Sequence, residues 1–299
     1  MQVLWSADRS TMRDLGNPSV IQQLMKEHHF SARKKYGQNF LIDANILRGI
    51  IEAAEIKKDD LVLEIGPGLG ALTEQLLMAA DKVIAVEVDQ MLIPILQENL
   101  KEYPNLVLLN EDILKVDIDA LLQKEGGGRK AKVVANLPYY ITTPIVAELL
   151  EKQNNLESIT VMVQKEVAQR MQEGPGSKAY GALSLLVQYY AKAELMMTVS
   201  ASCFIPKPDV DSAVIRLKIY ESSERPVQTT HEKEMFDLIR AAFNQRRKTL
   251  LNAVGNAANL SYTKEQIKEA LIKMGKEETI RGEALTLQEF AELTDLLVN

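Results

Sequence analysis

The chain has 299 residues, 46% hydrophobic and 25% charged, a globular profile with room for one large domain and a smaller one. Its single cysteine, Cys203, excludes an intramolecular disulfide and fits a reducing compartment, and no apolar run approaches the ~20 residues that cross a bilayer. A net charge of −6 excludes a uniformly basic nucleic-acid coat, so any nucleic-acid contact must come from local patches.

Residues 1–30 are polar and mixed, with Trp5 and with Asp8, Arg9, Arg13 and Asp14 in place of the apolar core of a signal peptide. A cytoplasmic protein with an N-terminal arm is expected, and a helix over Ser19–His28. His28 and His29 are neighbours rather than an i, i+4 pair, and Cys203 has no His or Cys at ligand spacing, so no metal is expected. Arg33, Lys34 and Lys35 form a basic cluster before a Gly37-Gln38-Asn39 turn. An amphipathic helix then spans Asn45–Glu55, with Ile46, Ile50, Ile51 and Ala54 on one face.

Leu61–Ile65 reads as a strand, turned by Gly66-Pro67-Gly68-Leu69-Gly70 into a helix from Ala71 whose Leu72, Leu76 and Leu77 face inward. The G-x-G-x-G spacing differs from the dinucleotide cradle. The strand Lys82–Val86 delivers Glu87 about 20 residues beyond the loop, where a ribose-binding acid is expected. Asp89 is expected to cap a helix over Met91–Leu100. A third strand, Leu106–Leu109, leads to Asn110-Glu111-Asp112, whose carboxylates are able to accept from an adenine amine. Gly126-Gly127-Gly128 reads as a flexible connection to a fourth strand, Lys132–Ala135, ending at Asn136.

Pro138 stops that strand and leaves Asn136-Leu137-Pro138-Tyr139-Tyr140 at the carboxyl edge of the sheet, where open α/β sheets bind ligands. This stretch resembles the signature of methyltransferases acting on the exocyclic amine of adenine. The Asn136 side-chain oxygen and the Leu137 carbonyl would hold the two N6 hydrogens, and Tyr139 would stack on an extruded base. Alternating strands and helices predict a parallel doubly wound sheet, in which strands one and four flank the switch point. The glycine loop and Asn136 then face one crevice. Without a phosphate-clamping lysine, that crevice suits a phosphate-free nucleoside such as S-adenosylmethionine.

Further on, a helix is expected over Pro144–Lys152 capped by Thr142 or Thr143, a strand over Ser158–Val163, and a mobile loop at Gly174–Ser177. A buried helix over Leu183–Ala191 carries Tyr189 and Tyr190. The segment Phe204–Ser212, with Pro206 and Pro208, is irregular and precedes a strand over Ala213–Ile219. Phe204 either covers the far face of a flipped base or anchors its loop in the core. A linker over Glu221–Thr230 leads to four helices, Glu232–Phe243, Lys248–Ala258, Thr263–Met274 and Thr286–Leu297. Arg240, Arg246, Arg247 and Lys248 form a second basic cluster there.

Six stretches in order, Gly37–Leu41, Glu64–Gly70, Asn110–Asp112, Asn136–Tyr140, Gln164–Ala168 and Phe204–Ser212, make the chain resemble the small-subunit ribosomal RNA adenine dimethyltransferases from about Lys34 to Leu251. The resemblance implies a class I, Rossmann-like methyltransferase α/β sheet of seven strands over 31–220, after an arm at 1–30, with a small all-α RNA-recognition domain at 231–299. It implies that two adjacent adenines in the 3′-terminal hairpin of small-subunit rRNA each receive two methyls, within an assembling 30S particle and by a monomer. It places Gln38, Asn39, Leu41, Gly66, Gly68, Glu87, Asp112 and Asn136 around S-adenosylmethionine, and Asn136, Leu137, Pro138, Tyr139 and Phe204 around the adenine. Arg33, Lys34, Lys35, Lys165, Lys207, Arg246, Arg247 and Lys248 are expected on RNA. Lys35-Tyr36 departs from the Ser-Leu or Ser-Phe usual before Gly-Gln-Asn. Two alternatives stay open: a large-subunit adenine methyltransferase of the antibiotic-resistance type, and a non-catalytic RNA-binding factor. Leu137, Tyr140 and the Gln164 motif favour the first-named family, and the intact Glu87, Asp112 and Asn136 set argues for catalysis.

Overall fold

A computed structural model describes residues 15–152 and 155–298; Trp5, Asp8, Arg9, Arg13 and Asp14 lie outside the described residues. Helix α1 (Pro18–Glu27) starts where the Asn17 side chain accepts from Ser19 N and Pro18 presets the first turn. Leu15, Ile21 and Leu24 are fully buried, so from Leu15 onward this segment belongs to a core rather than to an arm. A short 3-10 turn (Lys34–Tyr36) leads to β1 (Phe40–Leu41) and α2 (Ala44–Ala53), which Asp43 caps at Asn45 N and Ile46 N. The buried stripe of α2 is Leu47, Ile50 and Ala53, with Ile46 and Ile51 only half-buried, a rotation from the expected face.

Strands and helices then alternate: β2 (Leu61–Ile65), α3 (Ala71–Ala79), β3 (Lys82–Glu87), α4 (Ile93–Asn99), β4 (Leu106–Asn110), α5 (Ile118–Gly126), β5 (Ala131–Asn136), α6 (Thr142–Lys152) and β6 (Leu156–Gln164). Helix α5 is absent from the sequence-based reading. Asp117 caps it, and Gly127, at φ +63°, ends it, so the glycine run closes a helix instead of loosening a connection. In α6, Thr142 lies inside the helix and its hydroxyl donates back to the Pro138 carbonyl at 3.1 Å, rather than capping.

The remaining elements are α7 (Lys165–Gln172), α8 (Ala182–Tyr190), β7 (Ala191–Val199), β8 (Phe204–Ile205), β9 (Ser212–Ile219), α9 (Glu232–Asn244), α10 (Leu250–Gly255), α11 (Lys264–Lys273) and α12 (Leu287–Val298). Strand β8 pairs antiparallel with β1, Leu41 opposite Phe204. The main sheet runs β4-β3-β2-β5-β6-β9-β7. Its pairs from β4 to β6 are parallel, whereas β9 lies antiparallel on β6, which corrects the wholly parallel expectation. The chain steps outward from β2 to β3 and β4, then returns to the other side of β2 as β5. That reversal makes the β2 and β5 tips the switch point.

The chain divides into two compact units. The first runs up to Lys165 and includes Glu194–Lys218; it holds most of the sheet. Its strand β2 is buried at every residue, as expected for a parallel strand covered on both faces. Lys132, 4% exposed, is nevertheless accommodated because its ammonium reaches the Glu55 carbonyl at 2.7 Å and Asp60 Oδ2 at 2.8 Å. The second unit joins Glu166–Ala193 to the chain from Ile219 onward, so α7 and α8 group with the C-terminal helices across the boundary expected near residue 220. Its core is built on Met235, Phe236, Ile239, Leu271 and Phe290. The Gly174–Ser177 loop is tied down by Gly176 N to the Glu283 carbonyl at 3.0 Å and by Arg246 Nη2 to the Ser177 carbonyl at 3.1 Å.

Candidate active site

A cavity of about 300 Å³ lies in the first unit at the carboxyl ends of β2 to β5. Gln38, Asn39, Leu41, Gly66, Gly68, Glu87, Asp112, Asn136, Leu137, Pro138 and Tyr139 all line it. At Gly66, φ +70°, a Cβ would meet nothing within 4 Å, so the backbone itself faces the open space. At Gly68, φ +62°, a Cβ would stand 3.1 Å from the Phe40 ring. Both require the left-handed region that glycine tolerates.

Glu87 ends β3 with 4% exposure, and each oxygen takes one backbone N–H: Oε2 from Gly68 at 3.1 Å and Oε1 from Asp89 at 2.8 Å. Burial pushes its carboxyl up to about 7; the two N–H groups oppose this and the Asp89 charge adds to it. Each oxygen keeps a lone pair for a hydroxyl. Below it Glu64, 1% exposed, has an Oε2 without a hydrogen-bond partner, and burial, with the nearby Glu87 charge, raises its carboxyl to about 8. Asp112 accepts from Leu114 N through Oδ1 at 3.1 Å, while Asn110, not expected in the site, donates to the Glu87 carbonyl at 2.8 Å and binds two strand tips together.

On the other wall, the Asn136 amide nitrogen donates to the Asn39 carbonyl at 3.1 Å. That bond sets the amide plane and leaves Oδ1 as a free acceptor beside the Leu137 carbonyl, which takes no hydrogen bond among the described residues. The Leu137 N–H is held by the Met162 carbonyl at 3.1 Å. Tyr139 is half-buried, its hydroxyl 2.7 Å from Ser212 Oγ. Tyr140 is 59% exposed and its ring packs over Gly37, where a Cβ would come within 3.1 Å. Tyr140 and Tyr36 line the same cavity, and Lys35 lies over the Tyr36 ring at 4.3 Å. Sequence reasoning left both rings without a role, since neither periodicity nor spacing marks a rim aromatic.

Several expectations change. Phe204 is 3% exposed and packs in the core cluster because its short strand pairs with β1; it does not line the cavity. Asp89 caps no helix, since α4 begins only at Ile93; its carboxylate accepts from Met91 N, Gln38 Nε2 and Arg33 Nη1 at 3.1, 2.9 and 3.3 Å. Arg33 is therefore committed to a buried carboxylate instead of standing free for RNA. Arg246 is likewise engaged, by Glu283 at 2.8 Å and the Ser177 carbonyl. Lys35, Lys165, Lys207, Arg247 and Lys248 are exposed, and the Lys34 side chain lies outside the described residues.

The cavity carries Glu64, Glu87, Glu111 and Asp112 and, among the described residues, no Lys or Arg in its lining. This lining offers a phosphate no cation, while Glu87 and Asp112 offer acceptors to hydroxyls and an amine. A nucleoside carrying a positive sulfonium fits it. Among the described residues no group of three His, Cys, Asp or Glu is placed to hold a metal ion, and no helix is long and apolar enough to cross a membrane.

The profile of the family described as ribosomal RNA adenine dimethylase matches residues 29–295. The ribosomal RNA small subunit methyltransferase A of Lachnoclostridium phytofermentans is 54% identical, covering 96% of this chain and 98% of its own. That of Alkaliphilus metalliredigens is 47% identical, with 95% and 98% covered. Among solved structures, a dimethyladenosine transferase from Plasmodium falciparum aligns with a TM-score of 0.68 at 30% identity, over 85% of this chain and 95% of the other. The 23S rRNA methyltransferase ErmE aligns at 0.64 and 25% identity, over 87% and 100%.

Proposed function

The chain belongs to the ribosomal RNA adenine dimethylase family, and from that premise we propose that it places two methyls on N6 of each of two adjacent adenines in the 3′-terminal hairpin of small-subunit rRNA. The protein is an S-adenosylmethionine-dependent rRNA adenine dimethyltransferase; its relatives of 54% and 47% identity carry the small-subunit name. The donor, when bound, supplies a methyl already activated by its sulfonium charge, so the chain's task is binding and alignment.

Gly66 and Gly68 hold the donor against bare backbone, with Gln38, Asn39 and Leu41 beside it. Glu87 takes the ribose hydroxyls and Asp112 the adenine amine. Asn136 Oδ1 and the Leu137 carbonyl accept the two hydrogens of the target N6, which draws its lone pair out of the ring and toward the methyl. Pro138 holds these acceptors at the strand tip and Tyr139 stacks on the extruded base. After the first transfer N6 keeps one hydrogen, so one acceptor suffices for the second. The departing proton is strongly acidic and passes to water.

The observation that carries this reading is the Asn136 amide, anchored through its nitrogen to the Asn39 carbonyl, with its oxygen free to accept at the cavity wall. On the RNA side we assign Lys35, Lys165, Lys207, Arg247 and Lys248, with the unit that runs up to Lys165 and includes Glu194–Lys218 as the catalytic part and the helices from Glu232 onward as the RNA-recognition part. An assembling 30S particle in the cytoplasm is the substrate, and the enzyme acts as a monomer.

The test is incubation with labelled methyl donor and unmodified small subunits. Dimethyladenosine in the 3′-terminal hairpin is expected by primer extension and nucleoside analysis. The likeness to ErmE gives the large-subunit reading its footing. Label entering purified large-subunit RNA while small subunits stay blank would replace the present reading with that one.

A further inference from the structure

Asp89 is fully buried, yet no part of the reaction described so far uses it. Its carboxylate takes Gln38 Nε2 at 2.9 Å, Arg33 Nη1 at 3.3 Å and Met91 N at 3.1 Å, which is what a charged group needs to remain in the interior. Its own N–H donates to Glu87 Oε1, whose other oxygen holds Gly68 of the glycine loop. Gln38 in turn accepts from Arg33 N at 2.8 Å, and the next residue, Asn39, offers its carbonyl to the Asn136 amide. A path of hydrogen bonds, with the Gln38–Asn39 peptide as its one covalent link, thus runs from the glycine loop through Glu87 and Asp89 to the acceptor amide. The segment it crosses, 36–39, has little regular structure of its own, the end of a 3-10 turn at Tyr36 and then Gly37, Gln38 and Asn39 before β1.

We propose that Asp89 is a positioning residue for methyl transfer, latching the 36–39 loop to the donor subsite so that donor and RNA bind cooperatively. This rests on the function proposed above. A ribose on Glu87 fixes the peptide that presents Asp89; Asp89 fixes Gln38; and Asn39 then holds Asn136 with its oxygen toward the incoming amine. Reciprocity requires that RNA tighten the donor by the same factor.

The experiment is calorimetry with S-adenosylhomocysteine, alone and with a saturating hairpin RNA of the small-subunit 3′ end. In the native protein the RNA is expected to tighten the analogue on the order of tenfold. In Asp89→Asn that factor falls to near one and kcat falls with it, while RNA affinity in the absence of donor changes less than threefold. Gln38→Met, which removes the bond without leaving a buried charge unpaired, loses the same factor and carries the test should Asp89→Asn fail to fold. The two changes together lose no more than either alone. Independent binding in the native protein, or full coupling in both variants, overturns the latch. A protein that methylates no ribosomal RNA overturns the function itself, whereas one that methylates normally with independent binding overturns only this inference.

Discussion

An amide anchored through its nitrogen to a neighbouring carbonyl has the orientation of its oxygen fixed with it, and at Asn136 that orientation is set by Asn39. Asn136→Ala removes one of the two acceptors on the target amine, with an expected fall in kcat of at least about 10². Hairpin binding, measured by fluorescence anisotropy, should stay within twofold; undiminished turnover would refute the role given to the amide. Glu64 and Glu87 bear on stability as well. Both carboxyls are raised in the folded protein, Glu64 to about 8 and Glu87 to about 7, against an ordinary value near 4.5 when unfolded. The folded state therefore holds protons that the unfolded chain has released, and stability is lost as pH climbs from about 4.5 through 8. Glu64→Gln should flatten that loss and raise Tm at pH 8 by several degrees, with little change at pH 4.5. A parallel pH dependence of Tm in both proteins would count against the buried Glu64 carboxyl as its source.

At the scale of elements, the turn between β2 and α3 does its work with backbone, and its glycines are not equivalent. Gly68→Ala forces a left-handed residue against the Phe40 ring and should lower stability by about 1–2 kcal/mol. Gly66→Ala meets no protein atom, so beyond its backbone strain it should act on the ligand, weakening S-adenosylhomocysteine roughly tenfold or more by calorimetry. A donor affinity in Gly66→Ala equal to that of the native protein would place the donor elsewhere. These strands were legible from their apolar runs, and the glycine turn from its spacing. Helix α5 was not, because the three glycines at its end resembled a linker; only the structure puts Gly126 against Leu61, where a Cβ would collide with the leucine side chain. Strand β7 escaped for a different reason. Its residues Lys192 to Thr198 are largely half-buried or exposed at the sheet edge, so burial imposed no clear alternation.

For the whole molecule, a net charge of −6 means that RNA is met by a few placed cations and not by the surface at large. Of the Arg246-Arg247-Lys248 corner between α9 and α10, Arg246 is engaged with Glu283, leaving Arg247 and Lys248 exposed. Replacing those two with alanine should make the slope of log K against log salt shallower by about 1.4–1.8, with Tm unchanged; Arg246→Ala should lower Tm instead. An unaltered slope would remove the corner from the RNA footprint. The sequence by itself determined the parallel strands β2 to β6, their switch point and the residues at the β2, β3, β4 and β5 tips. Strand periodicity and turn chemistry are local, and a doubly wound sheet sends each strand end to the same edge. Only the tertiary structure decided which charged and aromatic side chains were already taken. Arg33 is claimed by Asp89, Arg246 by Glu283 and Phe204 by the core, because partners distant along the chain meet only when it folds.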